Sequence, residues 1–299
     1  MGFILFYILY IIWWLFALIP LKFLYFLSDL SFPLIYYIIC YRKKTVLTNL
    51  KKSFPEKDEK EIRIISKKFY HHFTDILIES IKMIHLSRKQ LEKRIKIRNP
   101  EILQDLFNRK KSAIAVIGHY NNWEWILGIG SYIPHHTMAI YKPLNNKRMN
   151  DFMVKMRSKY GTEIISMRQT LKTMLKYKKE NLLTVSGFIS DQSPVWEETQ
   201  YWTQFMNQLT PVYLGIEKMA KKTDQAIVFF YVHKIRRGIY EVEIIKLVDN
   251  VKDTQLTEIT EKHIQTLEEI IRKQPEYWLW THRRWKLTPR KLEEMEENQ

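Results

Sequence analysis

Ala113-Ile114-Ala115-Val116-Ile117 runs directly into Gly118-His119-Tyr120-Asn121-Asn122-Trp123-Glu124-Trp125. Five apolar residues, three of them β-branched, with no polar alternation read as a strand buried on both faces, the kind found in parallel sheets. Downstream, strands are predicted at residues 138–141, 163–166, 182–189, 226–231 and 240–246. Between them fall predicted helices at 147–160, 169–178, 212–222 and 256–273, with a short one at 100–108 ahead of the first strand. This alternation predicts an α/β domain over 99–290, a mostly parallel central sheet flanked by helices. Such sheets place their ligands outside the carboxyl ends of the strands, so the chemistry is expected there.

Upstream, residues 42–53 and 61–85 are expected to be two helices separated by a bend at Pro55, because proline cannot continue a helix. Ile62, Ile65, Phe69, Phe73 and Ile76 recur at three- and four-residue steps, as one buried face requires. Residues 42–98 thus form a helical segment. Before it, residues 3–21 are 19 uncharged positions, a length that at ~1.5 Å per residue nearly spans the ~30 Å hydrocarbon layer. Met1 to Leu5 carries no Lys or Arg and no small-residue cleavage site follows, so a membrane helix is expected instead of a cleaved signal. Trp13 and Trp14 near the middle of the run, and Pro20, leave room for a tilted or re-entrant segment.

A second apolar stretch, 30–41, is too short to span and reads as interfacial or packed on the domain. Arg42, Lys43, Lys44, Lys51 and Lys52 follow, which predicts a single pass with everything after it in the cytoplasm. The alternative is the core helix of a soluble protein. The acidic end, 291–299, reads as a solvated tail.

Composition narrows the partners. The 299 residues are 46% hydrophobic and carry 48 Lys and Arg against 32 Asp and Glu, a net charge of +16, which excludes a disordered chain and favours polyanionic partners. Finger, phosphate-loop and RNA-binding signatures do not occur, so no nucleic acid is expected. Cys40, the only cysteine, has no partner and reads as a small core hydrophobe. The His71-His72 and His135-His136 doublets lack metal-site spacing, and no metal is expected.

His119 stands five residues ahead of Glu124 across a strand-to-helix junction. On one continuous helix the two would diverge, so they can meet only if His119 lies in the turn and Glu124 on the first helical turn. The carboxylate would then accept from one imidazole nitrogen and leave the other as a general base. Equally, Asn121-x-x-Glu124 fits a capping arrangement in which both residues are structural. Lys142, Asn145 and Arg168 follow predicted strand ends and suit phosphate, sugar or oxyanion contact, with turn and surface roles as alternatives. Asp191 could hold a hydroxyl donor or cap a turn. Arg283 and Arg284 lie among Trp278, Trp280 and Trp285, where stacking competes with substrate contact.

The segment Gly118 to Trp125 resembles the H-x4-D/E signature of the glycerolipid acyltransferase superfamily, and its framing resembles the lipid A late acyltransferases. Tyr141-Lys142-Pro143-Leu144-Asn145 is similar to that family's second block, Ser190-Asp191-Gln192 to its S-D-Q block, and Pro275 to Trp285 to its closing block. Asn121 stands where the family more often has glycine. The resemblance implies His119 and Glu124 as catalytic residues, with Lys142, Asn145, Arg168, Asp191, Gln192, Arg283 and Arg284 as substrate contacts. It implies transfer of an acyl group from acyl carrier protein or acyl-CoA to a phosphorylated glycolipid hydroxyl at the bacterial inner membrane, with no cofactor beyond that co-substrate. Another acceptor lipid, or a lipid-binding protein without activity, is the alternative.

Overall fold

In the computed structural model, which describes residues 3–297, β1 (Ile95–Ile97), β2 (Ala113–Ile117), β3 (His136–Tyr141), β4 (Glu163–Ser166), β5 (Thr184–Ile189), β8 (Ala226–Arg236) and β9 (Ile239–Val248) form one sheet. Their order is β1-β9-β8-β2-β5-β3-β4. Every pairing is parallel except β8 with β9, a hairpin closed at Gly238. The expected mostly parallel α/β sheet is therefore present.

All five residues of β2 are buried, and alternation sends them to two cores. Ala113, Ala115 and Ile117 pack on one face with Leu103 and Leu106 of α6 (Glu101–Asn108) and Met156 of α7 (Lys147–Ser158). Ile114 and Val116 pack on the other with Met174 of α8 (Thr170–Lys179), Ile216 of α9 (Gly215–Thr223) and Leu267 of α10 (Glu258–Lys273). Upstream lie α3 (Lys43–Ser53), α4 (Glu59–Lys82) and the short α5 (Arg88–Glu92). Asp58 and Glu61 cap α4 reciprocally, which fixes where it starts after the Pro55 bend.

Several expectations change. β1 falls inside the segment read as helical. Residues 201–212, to which the sequence reading assigns no strand, form a separate antiparallel hairpin of β6 (Tyr201–Phe205) and β7 (Gln208–Val212). The helix expected from 212 begins at Gly215, because Val212 still pairs with Tyr201. A helix, α11 (Thr288–Glu297), with no buried residue starts in the last residues of the expected domain and takes in residues 291–297 of the expected tail.

The N-terminal expectation changes most. Residues 3–21 are not one helix: α1 (Phe3–Leu18) stops before Pro20, and α2 (Leu21–Pro33) starts after it and continues as a π-helical turn, Leu34–Ile39. Pro20 lacks the N–H that would extend α1 and has the φ that suits a helix start. Among the described residues, the one helix long and apolar enough to cross a membrane is Leu21–Ile39. Cys40 ends that helix in a left-handed conformation and is exposed, so it is not a core hydrophobe.

Candidate active site

Pairing of Ile117 with Ile189 in the parallel ladder of β2 and β5 creates the centre of the site. Both strands end at that pair, and two residues later come His119 and Asp191, which therefore leave the sheet side by side. Asp191 Oδ1 lies 2.6 Å from His119 Nδ1, and its Oδ2 accepts from the His119 backbone N–H at 2.8 Å and from Trp278 Nε1 at 2.7 Å. Gly118 permits this approach: a Cβ there would lie 2.7 Å from Leu267 and 3.6 Å from the Asp191 carboxylate. Trp278 reaches Asp191 because the closing block runs beside the turn, with Asn121 N–H on the Tyr277 carbonyl and Leu279 N–H on the His119 carbonyl.

Burial by itself favours the neutral acid at Asp191. It is outweighed by the neighbouring imidazole and by hydrogen bonds from His119 and Trp278, which bring the carboxyl down to about 2. An ionised Asp191 assigns the imidazole proton to Nδ1 and leaves a lone pair on Nε2, which accepts from Gln192 Nε2 at 3.1 Å. His119 thus presents an unprotonated ring nitrogen at the cavity.

Glu124 is not the partner of His119, contrary to the geometry expected from spacing. Its two oxygens take a bidentate pair from Arg157 on α7, Nη2 at 2.5 Å and Nε at 2.9 Å. The physical reason is the turn: residues 121–124 do not enter an α-helix, and a 3-10 helix, Trp125–Tyr132, begins only after Glu124. The cap also differs from the alternative reading. Asn122, not Asn121, accepts from Trp125 N–H, at 3.0 Å. Asn121 is left-handed, with φ 51°, and donates to the Val232 carbonyl. That backbone geometry accounts for glycine as the commoner residue and for asparagine as a tolerated one.

A cavity of about 960 Å³ opens at these strand ends, lined by His119, Glu124, Arg157, Lys142, Asn145, Arg168 and Gln192 among others. Lys142 directly follows β3, and Arg168 lies two residues beyond β4; both are exposed on the rim. Ile126, Ile129, Ile133 and Val185 make an apolar wall, and Gly187 at mid-strand adds no side chain to it. Arg284 is buried behind the site, its Nε and Nη1 without a partner among the described residues; burial lowers it to about 10, which leaves it cationic. Arg283 is exposed and does not line the cavity.

Sequence reading missed three contributors: Arg157, the role of Trp278 toward Asp191, and His282, whose Nε2 accepts from Ser193 N–H. Burial lowers His282 to about 4, so it is neutral at working pH. It also missed Glu79, fully buried on α4. Glu79 accepts from Asn122 Nδ2 at 2.6 Å, Tyr240 Oη at 2.8 Å and Tyr25 Oη at 2.6 Å, and so pins the turn that follows His119. Burial raises Glu79 to about 7 despite those donors. The folded protein then holds a proton the unfolded chain has released, so stability is full below pH ~4.5 and falls, by on the order of 3 kcal/mol, as pH rises to about 7. Glu79→Gln should abolish this slope in thermal melts across that window, because an amide oxygen can still accept from Asn122 and Tyr240 but the side chain no longer titrates.

A carboxylate-held imidazole at the mouth of an apolar cavity, with cations on its rim, is the equipment of an enzyme that moves acyl groups. A family model for bacterial lipid A biosynthesis acyltransferases matches residues 2–287, and the chain belongs to that family of acyltransferases. No curated protein gives a significant match.

Proposed function

We propose that the protein transfers a fatty acyl group from the thioester of acyl carrier protein or coenzyme A to a hydroxyl of a lipid A precursor at the inner face of the bacterial cytoplasmic membrane. The observation that carries this reading is the His119 Nε2 lone pair held toward the cavity by an ionised Asp191. The acceptor hydroxyl displaces Gln192 from Nε2 and gives up its proton to it while its oxygen attacks the thioester carbonyl. The carbon–sulfur bond then breaks, and the imidazolium returns the proton to the leaving thiolate. Asp191 stabilises the imidazolium between these steps. Arg157, fixed by Glu124, supplies positive charge for the developing oxyanion, and the apolar wall takes the acyl chain.

Mass spectra of lipid A from cells with the gene, without it and with His119→Ala test the reading. An added acyl chain should appear only with the intact gene. Lipid A identical in all three would overturn the assignment, and a change confined to another acylated lipid would move the acceptor.

Lys142 and Arg168 on the rim are suited to the acceptor phosphate. Neutralising either should lower kcat/KM about tenfold with a phosphorylated acceptor and much less with a dephosphorylated one. Equal losses on both acceptors would return the two residues to a structural role.

A further inference from the structure

The helix of Leu21–Ile39 has its amphipathicity reversed. Its outward stripe is apolar: Phe23, Phe26, Leu30, Leu34, Tyr37 and Ile38 are each between 46% and 76% exposed. Its inward stripe carries the polar groups. Ser28 Oγ donates to Asp75 at 2.8 Å, Tyr25 Oη to Glu79 at 2.6 Å, and Asp29 receives Arg237 at 2.7 Å and His71 at 3.0 Å. Further along, the rings of Phe32 and His71 lie 5.6 Å apart and those of Tyr36 and Tyr70 5.3 Å apart. Contacts from Tyr25 to Tyr36 hold ~16 Å of helix, at ~1.5 Å per residue, against α4.

α1 repeats the pattern. Ile8, Ile11, Ile12, Leu15 and Leu18 face outward, while Lys82 donates to the carbonyls of Ala17 and Ile19 and Tyr10 packs on Phe152 of α7.

From these contacts we infer that α1 and the Leu21–Ile39 helix lie flat in the membrane interface on one leaflet of anionic lipid and do not cross the bilayer. If Leu21–Ile39 crossed, Asp29, Asp75 and Arg237 would be drawn into hydrocarbon with it, at ~2.5–3.5 kcal/mol for each charge near the centre. Lying flat, only the apolar stripe enters, to a depth of ~5–10 Å, and the polar stripe stays on the body. Lys22 at one end and Arg42 and Lys44 at the other are exposed, where anionic headgroups would meet them. Phe152 belongs to the helix that carries Arg157, so the docked face adjoins the cavity and an acceptor need not leave its leaflet.

The inference rests on the membrane location proposed above. Its test uses the full chain in a Cys40→Ser background with single cysteines from Gly2→Cys, Lys22→Cys or Lys44→Cys, which bracket the two helices. A membrane-impermeant maleimide should label all three in inverted vesicles and none in intact spheroplasts. Labelling of any one from outside overturns flat docking, while acyl transfer by the same variants in detergent reports separately on the proposed activity. Phe26→Asp with Ile38→Asp should weaken binding of purified protein to phosphatidylglycerol vesicles more than tenfold at unchanged melting temperature. Unchanged vesicle binding, or wild-type protein that dimerises through this face and ignores vesicles, also overturns it.

Discussion

Asp191→Asn should lower acyl transfer by roughly 10³–10⁴-fold, the loss seen when a carboxylate that fixes a catalytic imidazole becomes an amide. The wild-type carboxylate accepts at every contact: His119 Nδ1–H, His119 N–H and the Trp278 indole. An asparagine has one oxygen for these donors. If its amide nitrogen turns toward Nδ1, the imidazole proton moves to Nε2 and the base facing the cavity is lost. If its oxygen stays there, the Trp278 and backbone donors lose a buried partner, at ~1–3 kcal/mol each. Because the carboxyl sits at about 2, Asp191 remains ionised across the working range, and its contribution to stability is full above about pH 4 and fades as pH falls from 3.8 through about 2. His119→Ala should reach the same floor, and the double variant should fall no further, since the two act as a unit. A loss below tenfold in kcat/KM, in a protein that melts normally, would remove Asp191 from the mechanism.

The part of this arrangement legible in the sequence is the part set by local pattern. The buried apolar run 113–117 and the alternation after it gave the sheet, and His119 stood out because a histidine directly after such a strand is exposed to ligand. What escaped depends on partners distant in sequence. The residue that holds His119 is 72 positions away, and only the parallel register of β2 and β5 brings it near. Arg157 is one basic residue among several on α7, with nothing local to mark it. The β6–β7 hairpin turns at Met206 and Asn207, both at positive φ, a turn usually announced by Asn-Gly and here hidden by methionine. The N-terminal run misled because Pro20, read as compatible with one tilted or re-entrant segment, instead ends one helix and starts the next.

Glu124 and Arg157 carry the second large effect, and it separates the spacing-based role of Glu124 from the one its contacts give. Were Glu124 the partner of the imidazole, Glu124→Gln would shift the pH dependence of turnover as Asp191→Asn does, and Arg157 would matter little. In the structure its oxygens bind Arg157, with the Glu124 and Arg157 side chains 15% and 23% exposed. A partly buried pair of this kind fixes a planar cation in one orientation, and removing either member leaves the other misplaced in the cavity wall. Glu124→Gln and Arg157→Lys should each lower kcat about 10²-fold, because lysine keeps the charge but cannot make the fork. Both should leave the shape of the pH profile unchanged, since His119 and Asp191 are untouched. Glu124→Asp should recover part of the loss. In the double variant Glu124→Gln with Arg157→Gln the losses should not multiply, giving a coupling of roughly 2–3 kcal/mol in a mutant cycle. Multiplicative losses, or an altered pH profile for Glu124→Gln with Arg157→Lys near wild type, would return Glu124 to the imidazole and leave Arg157 a structural residue of α7.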